Sequence, residues 1–486
     1  MKRTVKVAID GVERILEAEE GELLSAVFGR YGLSIDMPCG GAGTCKNCLV
    51  TVDGKACLAC QTRIETDVQV ELGDSVRIQK ILTGDTQSVP LSNPMFAQYG
   101  VAVDIGTTTI CATLMGRDGV TDTVSRQNPQ TAFGADVISR IEHALSGGGE
   151  ALALCIHKAL SEMMIALCRR RGIDSYFVDA AVITGNTAML YLLTGQDPAG
   201  LARAPFAADR LFGECIEARV FDFPISSEAR VYLPRCISAF VGADITCAIL
   251  ASGMCVPGKT ALLADIGTNG EIALWHGDRI YCCATAVGPA FEGAGIAHGM
   301  YGARGAIDHV WQEDGIVRCS TIGGEPARGI CGSGIVDAIA LMLELEVIDE
   351  TGAFSDASDW FALQNGIGIT GADVRKIQLA KAAVRAGIET LLEMEGIEQS
   401  KVERLFLAGG FGSLINLKNA AQIGLFPPEM ADRVSVIGNA AHTGAAMLLG
   451  DKALADIAVR LAERSHTVSL ESNPVFTNHY VEHMMF

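Results

Sequence analysis

Four cysteines near the start of the sequence, Cys39, Cys45, Cys48 and Cys60, are separated by gaps of five, two and eleven residues. The first three share a loop with Gly40, Gly41 and Gly43. Four thiolates match the ligand count of a 2Fe-2S cluster, and glycines let the main chain approach closely enough for its amides to reach the cluster sulfurs. Tetrahedral zinc also takes four cysteines, but its sites usually come as two short pairs rather than a glycine-rich triplet with one distant ligand. Cys57 lies three residues before Cys60 and competes with it for the fourth position. The other cysteines, such as Cys155, Cys168, Cys247 and the pair Cys282 and Cys283, sit in apolar segments and are expected to be small core residues.

A different chemistry is carried by the tetrapeptide Asp-Ile-Gly-Thr, which occurs at 104–107 and again at 265–268, each time after an apolar run. A strand that delivers Asp104 into the turn Gly106, Thr107, Thr108 and Thr109 offers a carboxylate for a hydrated Mg2+. Beside it lie amides and hydroxyls that cradle phosphate oxygens. Asp265, Gly267, Thr268, Asn269 and Gly270 repeat the set and end at Glu271. One copy alone would be weak, because Gly-Thr turns after strands are common; two copies place a nucleotide between two lobes. Residues 405–412 are an apolar run closing on Gly409, Gly410 and Gly412, where missing side chains leave room for adenine or ribose against backbone. Gly332 and Ser333, leading to Gly334 and Asp337, and the turn at 182–187 are two further glycine turns. For the group that positions an attacking water the candidates are Glu271 and Asp244; either is equally a helix cap or a structural carboxylate.

The elements that must hold these residues follow from periodicity. Residues 4–10 and 12–17 alternate around Asp10 and Gly11 as a hairpin, and residues 21–31 have helical apolar spacing. Strands at 49–52, 68–72 and 76–78 are expected to complete a small β-grasp sheet ending near residue 82. Residues 83–99 read as a linker. Beyond it, apolar strands alternate with helices, among them 151–171, 372–396 and 452–464, as an α/β fold requires. The repeated tetrapeptide divides this region into lobes at 100–258 and 259–486.

With 486 residues, 49% of them apolar, the chain is long enough for two or three cores. Its first residues alternate like a strand rather than a secretory segment, and no window approaches the roughly 18 apolar residues that cross a bilayer. The expectation is a soluble, cytoplasmic protein, in which sixteen cysteines serve metal binding or catalysis rather than disulfides. A net charge of −19 disfavours nucleic acid and anionic membrane as partners. The run Arg169, Arg170 and Arg171 reads as a solvated helix end.

The cysteine loop resembles that of plant-type and vertebrate-type 2Fe-2S ferredoxins over about the first 80 residues, departing from it in the shorter gap before the last cysteine. That resemblance implies the β-grasp fold and favours Cys60 as the fourth ligand. Residues 100 to about 450 resemble the superfamily of acetate and sugar kinases, heat-shock chaperones and actin. The likeness implies a two-lobed actin-like, ribonuclease H-like domain in which Asp104 and Asp265 hold Mg2+ largely through water. It also implies that both threonine turns bind the phosphates of ATP, and that Gly409 to Gly412 face the adenosine.

A ferredoxin domain ahead of such an ATPase, with Asn128, Pro129 and Gln130 and then residues 133–140 after the first phosphate turn, resembles the reductive activators of corrinoid proteins. The implied activity carries an electron from a low-potential donor through the cluster to Co(II) of the corrinoid protein of a methyltransferase system, restoring Co(I). Plant-type clusters lie near about −400 mV, and Co(II) reduction is harder still, so ATP would drive an uphill transfer. The corrinoid belongs to the partner. Two other readings use the same loops: a redox-sensing kinase, although phosphoryl transfer needs no electron, and an ATP-gated metalloprotein assembly factor. A homodimer stays open, and compared with longer members of that family there is little room for an additional middle domain.

Overall fold

The computed structural model describes residues 2–9, 12–30, 33–35, 48–72, 76–78, 89, 91–410 and 414–486. Cys39, Cys45, their glycines, Gly412 and residues 83–88 and 90 of the linker fall outside these.

The hairpin forms as the alternation demands, Lys2–Ile9 pairing antiparallel with Val12–Glu19. It extends through a parallel pairing with Val68–Leu72 and then through Leu49–Val52 to Lys55–Leu58, a strand the sequence reading did not list. Val5, Val7, Leu16, Val50 and Val70 point to one face, where Leu24, Val27 and Phe28 of the helix Leu24–Arg30 cover them. A mixed sheet with a helix across it is the expected β-grasp arrangement. One strand departs from expectation: Val76–Ile78 pairs with Leu33–Ile35 in a separate two-stranded ribbon and does not join the main sheet.

The rest of the chain builds two six-stranded sheets with the same core order. In the first, Gly119–Gln127, Thr109–Gly116, Tyr99–Ile105, Val178–Gly185 and Arg230–Leu233 are neighbours, with Glu214–Glu217 outermost. In the second, Arg279–Thr285, Gly270–His276, Ala261–Ile266, Arg404–Ala408 and Val434–Gly438 follow in the same spatial order, with Ser465–Thr467 added beside the first of them. The weak sequence repeat is thus a repeat of topology, that of the two-lobed actin-like fold. Each central strand is buried on both faces, which is why it reads as an unbroken apolar run.

Helices cover both sheets. Gly149–Arg171 buries Leu152, Ile156, Leu160 and Met164 on the first sheet. Gly371–Met394 is started by a reciprocal cap between Thr370 and Asp373 and packs on the second. The sequence reading that no window suits a bilayer needs correction: Val137–Arg171 is long and apolar enough by length and composition, and half of its most apolar window is buried within the first lobe.

Two helices cross the boundary expected between the lobes. Ala243–Ser252 places Ile245, Ala248 and Ile249 against Ala261, Leu263 and Ala273 of the second sheet. Ala440–Gly450, from late in the chain, places Ala445, Ala446, Leu448 and Leu449 against Ala102, Met115, Ala180 and Val182 of the first. These helices meet at Gly444, where a Cβ would stand 2.1 Å from the Cys247 carbonyl oxygen.

Candidate functional site: a carboxylate-rich cleft between the lobes

The two central strands end side by side at a cleft of about 210 Å³. Strand Tyr99–Ile105 delivers Asp104, and the chain turns at once, with the Gly106 N–H donating to the Thr109 carbonyl at 2.9 Å. Strand Ala261–Ile266 delivers Asp265 and turns likewise, the Gly267 N–H donating to the Asn269 carbonyl at 2.9 Å. The turns face each other so closely that the hydroxyls of Thr108 and Thr268 are 3.4 Å apart. Both also reach Glu292 Oε2, at 3.3 and 3.2 Å. Gly409 completes this wall with φ +105° where a Cβ would lie 2.2 Å from the Ile266 carbonyl oxygen, so only glycine fits.

The first turn is braced from behind by the residues that follow it in sequence. Asn128 donates through Nδ2 to the Gly106 carbonyl at 2.9 Å and through its backbone N–H to the Thr108 carbonyl at 2.8 Å. Arg140 has no solvent exposure; its guanidinium donates to the carbonyls of Gly134 and Thr107. Burial lowers its pKa to about 10, so it is cationic at neutral pH. Two helix caps reach the site as well. Asn186 caps Thr187–Thr194 and donates to Thr107 Oγ1 at 3.2 Å. Asn439 caps Ala440–Gly450 and donates to Asp104 Oδ2 at 3.0 Å.

Five carboxyl groups share the lining: Asp104, Asp244, Asp265, Glu271 and Glu292. Burial pushes Asp104 up to about 6, with Asn439 opposing. Burial, then the charges of Asp104 and Glu292, raise Asp265 to about 7. Burial, then Asp104 and Asp265, raise Asp244 to about 8. Glu271 rises for the same reason, with Asp244 and Asp265 as its neighbours. Neither lysine nor arginine is among the described lining residues. Hard oxygen donors without a resident cation fit Mg2+, which keeps its waters and bridges to phosphate oxygens. The two copies are not equivalent in one respect: the residue paired across the hairpin from Asp265 is Glu271, whereas the one paired with Asp104 is Cys111.

The cleft therefore gathers Asp104, Gly106, Thr107, Thr108, Thr109, Asp244, Asp265, Gly267, Thr268, Asn269, Glu271, Gly409 and Gly410. Gly270 is not in the lining; it begins its strand with a Cβ position 2.5 Å from Val287 Cγ2. Gly332 and Ser333 do not line it either, since they open the buried helix Gly332–Glu344 inside the second lobe's core. Their glycine turn serves packing: a Cβ on Gly334 would stand 2.3 Å from the Ile307 carbonyl oxygen. Sequence reasoning missed Glu292 and Asn439, and named Asn186 only within the turn at 182–187. An asparagine between strand and helix is a readable cap, but its second hydrogen bond across a cleft is not.

In the N-terminal domain Cys48 and Cys60 are both buried, with Sγ atoms 3.2 Å apart, well beyond the about 2.05 Å of a disulfide. Cys57 sits opposite Val50 in the neighbouring hairpin and is partly exposed. Cys168, Cys247, Cys282 and Cys283 are buried as expected; Cys155 is only partly buried, and burial pushes its thiol up to about 11.

Residues 259–486 match the family described as the C-terminal domain of RACo, the ASKHA domain, and residues 99–256 match the RACo middle region. The corrinoid activation enzyme RamQ of Eubacterium limosum is 30% identical, with 99% of each chain covered. The Co(II) methylated amine-specific corrinoid protein reductase of Methanosarcina barkeri is 26% identical over 79% of this chain and 76% of its own. A solved reductive activator for a corrinoid, iron-sulfur protein superposes with a TM-score of 0.74 at 26% identity, covering 100% of this chain and 98% of that one. With cleft, fold and end-to-end relatives in agreement, the chain belongs to the family of ASKHA-domain reductive activators of corrinoid proteins.

Proposed function

We propose that this protein uses ATP to drive a low-potential electron onto Co(II) of a corrinoid protein, returning it to the Co(I) form that accepts a methyl group. The observation that carries the proposal is the union, in one chain, of a buried, mutually contacting pair of cysteine sulfurs with a carboxylate-rich cleft lined by two matching Asp-Ile-Gly-Thr turns. The relatives' names point the same way.

A 2Fe-2S cluster held by Cys39, Cys45, Cys48 and Cys60 would supply a one-electron carrier near about −400 mV. The Cys48 and Cys60 side chains, turned toward each other on the edge of the domain core, fit that ligand set, and the partly exposed Cys57 does not share their contact. In the cleft, Asp104 and Asp265 would hold Mg2+, and the turns at 106–109 and 267–269 receive the phosphates of ATP. Gly409 and Gly410, with Gly412 beyond them, face the adenosine.

Glu271 is the stronger choice for orienting the attacking water, because it stands across the hairpin from Asp265 and its counterpart in the other lobe, Cys111, carries no charge at neutral pH. Asp244 faces it from the helix that crosses between the lobes. ATP bound to both turns fixes the lobes relative to one another, and hydrolysis releases them; affinity for one redox state of the corrinoid protein changes with that motion. The working division of the chain is a cluster domain at 1–82, a linker at 83–99, and lobes at 100–258 and 259–486.

The test is anaerobic visible spectroscopy of a Co(II) corrinoid protein mixed with this protein, a strong reductant and Mg-ATP. Co(I) is expected only with ATP, and not with Cys45→Ser or Asp265→Ala. ATP binding with an intact cluster but without Co(I) on any co-encoded corrinoid partner overturns the proposal.

A further inference from the structure

Far along the chain, outside the cleft lining, three metal-ligating side chains converge between the helix Pro474–Glu482 and the helix Gly371–Met394. Glu389, His479 and His483 offer ligand atoms that all lie within 4.8 Å of one another. The histidines are four residues apart, so helical geometry puts both imidazoles on the face that meets Glu389, and their rings stack with a centroid separation of 6.1 Å.

The hydrogen bonding around this trio turns three ligand atoms toward one another and leaves one of them, His479 Nδ1, without a partner. Glu389 Oε1 is held by Arg385 Nε at 2.6 Å and by Gln399 Nε2 at 2.9 Å. Oε2 is left facing the imidazoles, 2.6 Å from His483 Nε2 and 3.3 Å from His479 Nδ1. His479 Nδ1 is buried without a hydrogen-bond partner, while its Nε2 is fixed by Glu393 Oε2 at 2.8 Å. A carboxylate that orients an imidazole whose other nitrogen points at a second carboxylate is the outer-sphere arrangement of histidine metal ligands. Bonds of about 2.0 Å in a tetrahedron separate ligand atoms by about 3.3 Å, the spacing of His479 Nδ1 from Glu389 Oε2. His483 has only to withdraw by several tenths of an ångström.

We propose that Glu389, His479 and His483 bind a divalent late first-row metal ion, with Zn2+ the best match, and that the ion clamps the helix Pro474–Glu482 onto the second lobe. Two imidazoles and one carboxylate are borderline ligands that suit Zn2+ rather than Mg2+ or Ca2+. The charges nearby permit it: two carboxylates, Glu389 and Glu393, meet the histidines, and Arg385 is the permanent cation among the described groups acting on Glu389. The fourth position stays open to water or to a ligand atom from another molecule.

The experiment titrates Zn2+ into the full, cluster-loaded protein under anaerobic conditions against a chromophoric chelator, so that the cluster cysteines are already occupied. The wild type is expected to bind one more ion than the His479→Ala, His483→Ala double variant, and Zn2+ should slow amide hydrogen exchange across 474–482 in the wild type alone. Glu393→Gln keeps every ligand atom and is expected to weaken the extra site by about 10–100-fold. Equal stoichiometry in wild type and double variant overturns the site. Should the double variant fail to fold, unchanged Zn2+ affinity in Glu393→Gln does the same.

Discussion

The hydroxyls of Thr108 and Thr268, 160 residues apart in sequence, stand 3.4 Å from each other across the cleft and share one carboxylate, Glu292. Phosphate oxygens entering between the two turns must replace these contacts. Thr108→Val keeps the side-chain volume but removes the hydroxyl. ATP affinity, measured by equilibrium titration, is expected to fall at least tenfold, the size of a lost hydrogen bond to a charged group, while the visible spectrum of the cluster stays as in wild type. Equal loss of both would mean that the substitution disturbs more than the turn.

Gly409 tolerates no side chain. Gly409→Ala places a methyl 2.2 Å from the Ile266 carbonyl oxygen in a backbone region L-residues rarely adopt. Nucleotide binding should be lost, and the thermal midpoint of the ATPase lobes should drop. Normal ATP binding by this variant would show that the strand end moves freely.

Arg140 satisfies two backbone carbonyls from a fully buried guanidinium. Arg140→Gln is expected to cost about 1.5–3 kcal/mol for hydrogen bonds to a charged group, seen as a lower unfolding midpoint, and to weaken ATP binding through the slackened first turn. A stability loss without any change in ATP affinity would limit Arg140 to packing.

The carboxylates of the cleft set a pH dependence of unusual sign. Asp104, Asp265 and Asp244 have folded-state values of about 6, 7 and 8, against about 4 in an unfolded chain. Between those limits the folded protein holds more protons, so its stability falls as pH rises through the window from about 4 to 8. The midpoint of the metal-free, nucleotide-free protein should be lower at pH 8.5 than at pH 6. Asp244→Asn should flatten the profile, and Mg2+ should raise the alkaline end. Parallel profiles for wild type and Asp244→Asn would assign the effect to other groups.

The partly exposed Cys57 and the buried Cys60 are three residues apart, yet only Cys60 shares a sulfur contact with Cys48. Cys60→Ser is expected to abolish or shift the cluster's visible absorption, and Cys57→Ser to leave it intact. The reverse result would move the fourth ligand to Cys57.

What could be read in advance depended on whether the signal was local. The two Asp-Ile-Gly-Thr copies announce a strand and a turn within four residues, and buried parallel strands announce themselves by unbroken apolar runs, so the lobes and most of the cleft were legible. Lys55–Leu58 was not, because a four-residue strand with two exposed positions leaves no pattern. Gly332 and Ser333 were grouped with the nucleotide turns because glycines that bring helix and strand together have the same composition as glycines that make room for a ligand. Glu292 was invisible for the opposite reason: its importance comes from hydroxyls 24 and 184 positions away. Asn128 and Arg140, noted only as part of a family pattern, proved to have a physical task in holding three consecutive carbonyls of the first turn.

The exchange of helices between the lobes bears on how the chain reaches this structure. Ala102, Met115, Ala180 and Val182 on the first sheet are covered by Ala440–Gly450. During synthesis the first lobe therefore emerges with an apolar face that lacks the cover of this helix until some two hundred further residues have followed. Contacts so distant in sequence form late, and an incomplete chain leaves a sticky surface for that interval. The ATPase region matures as one unit, and a chaperone with a taste for small aliphatic side chains would find its binding site there.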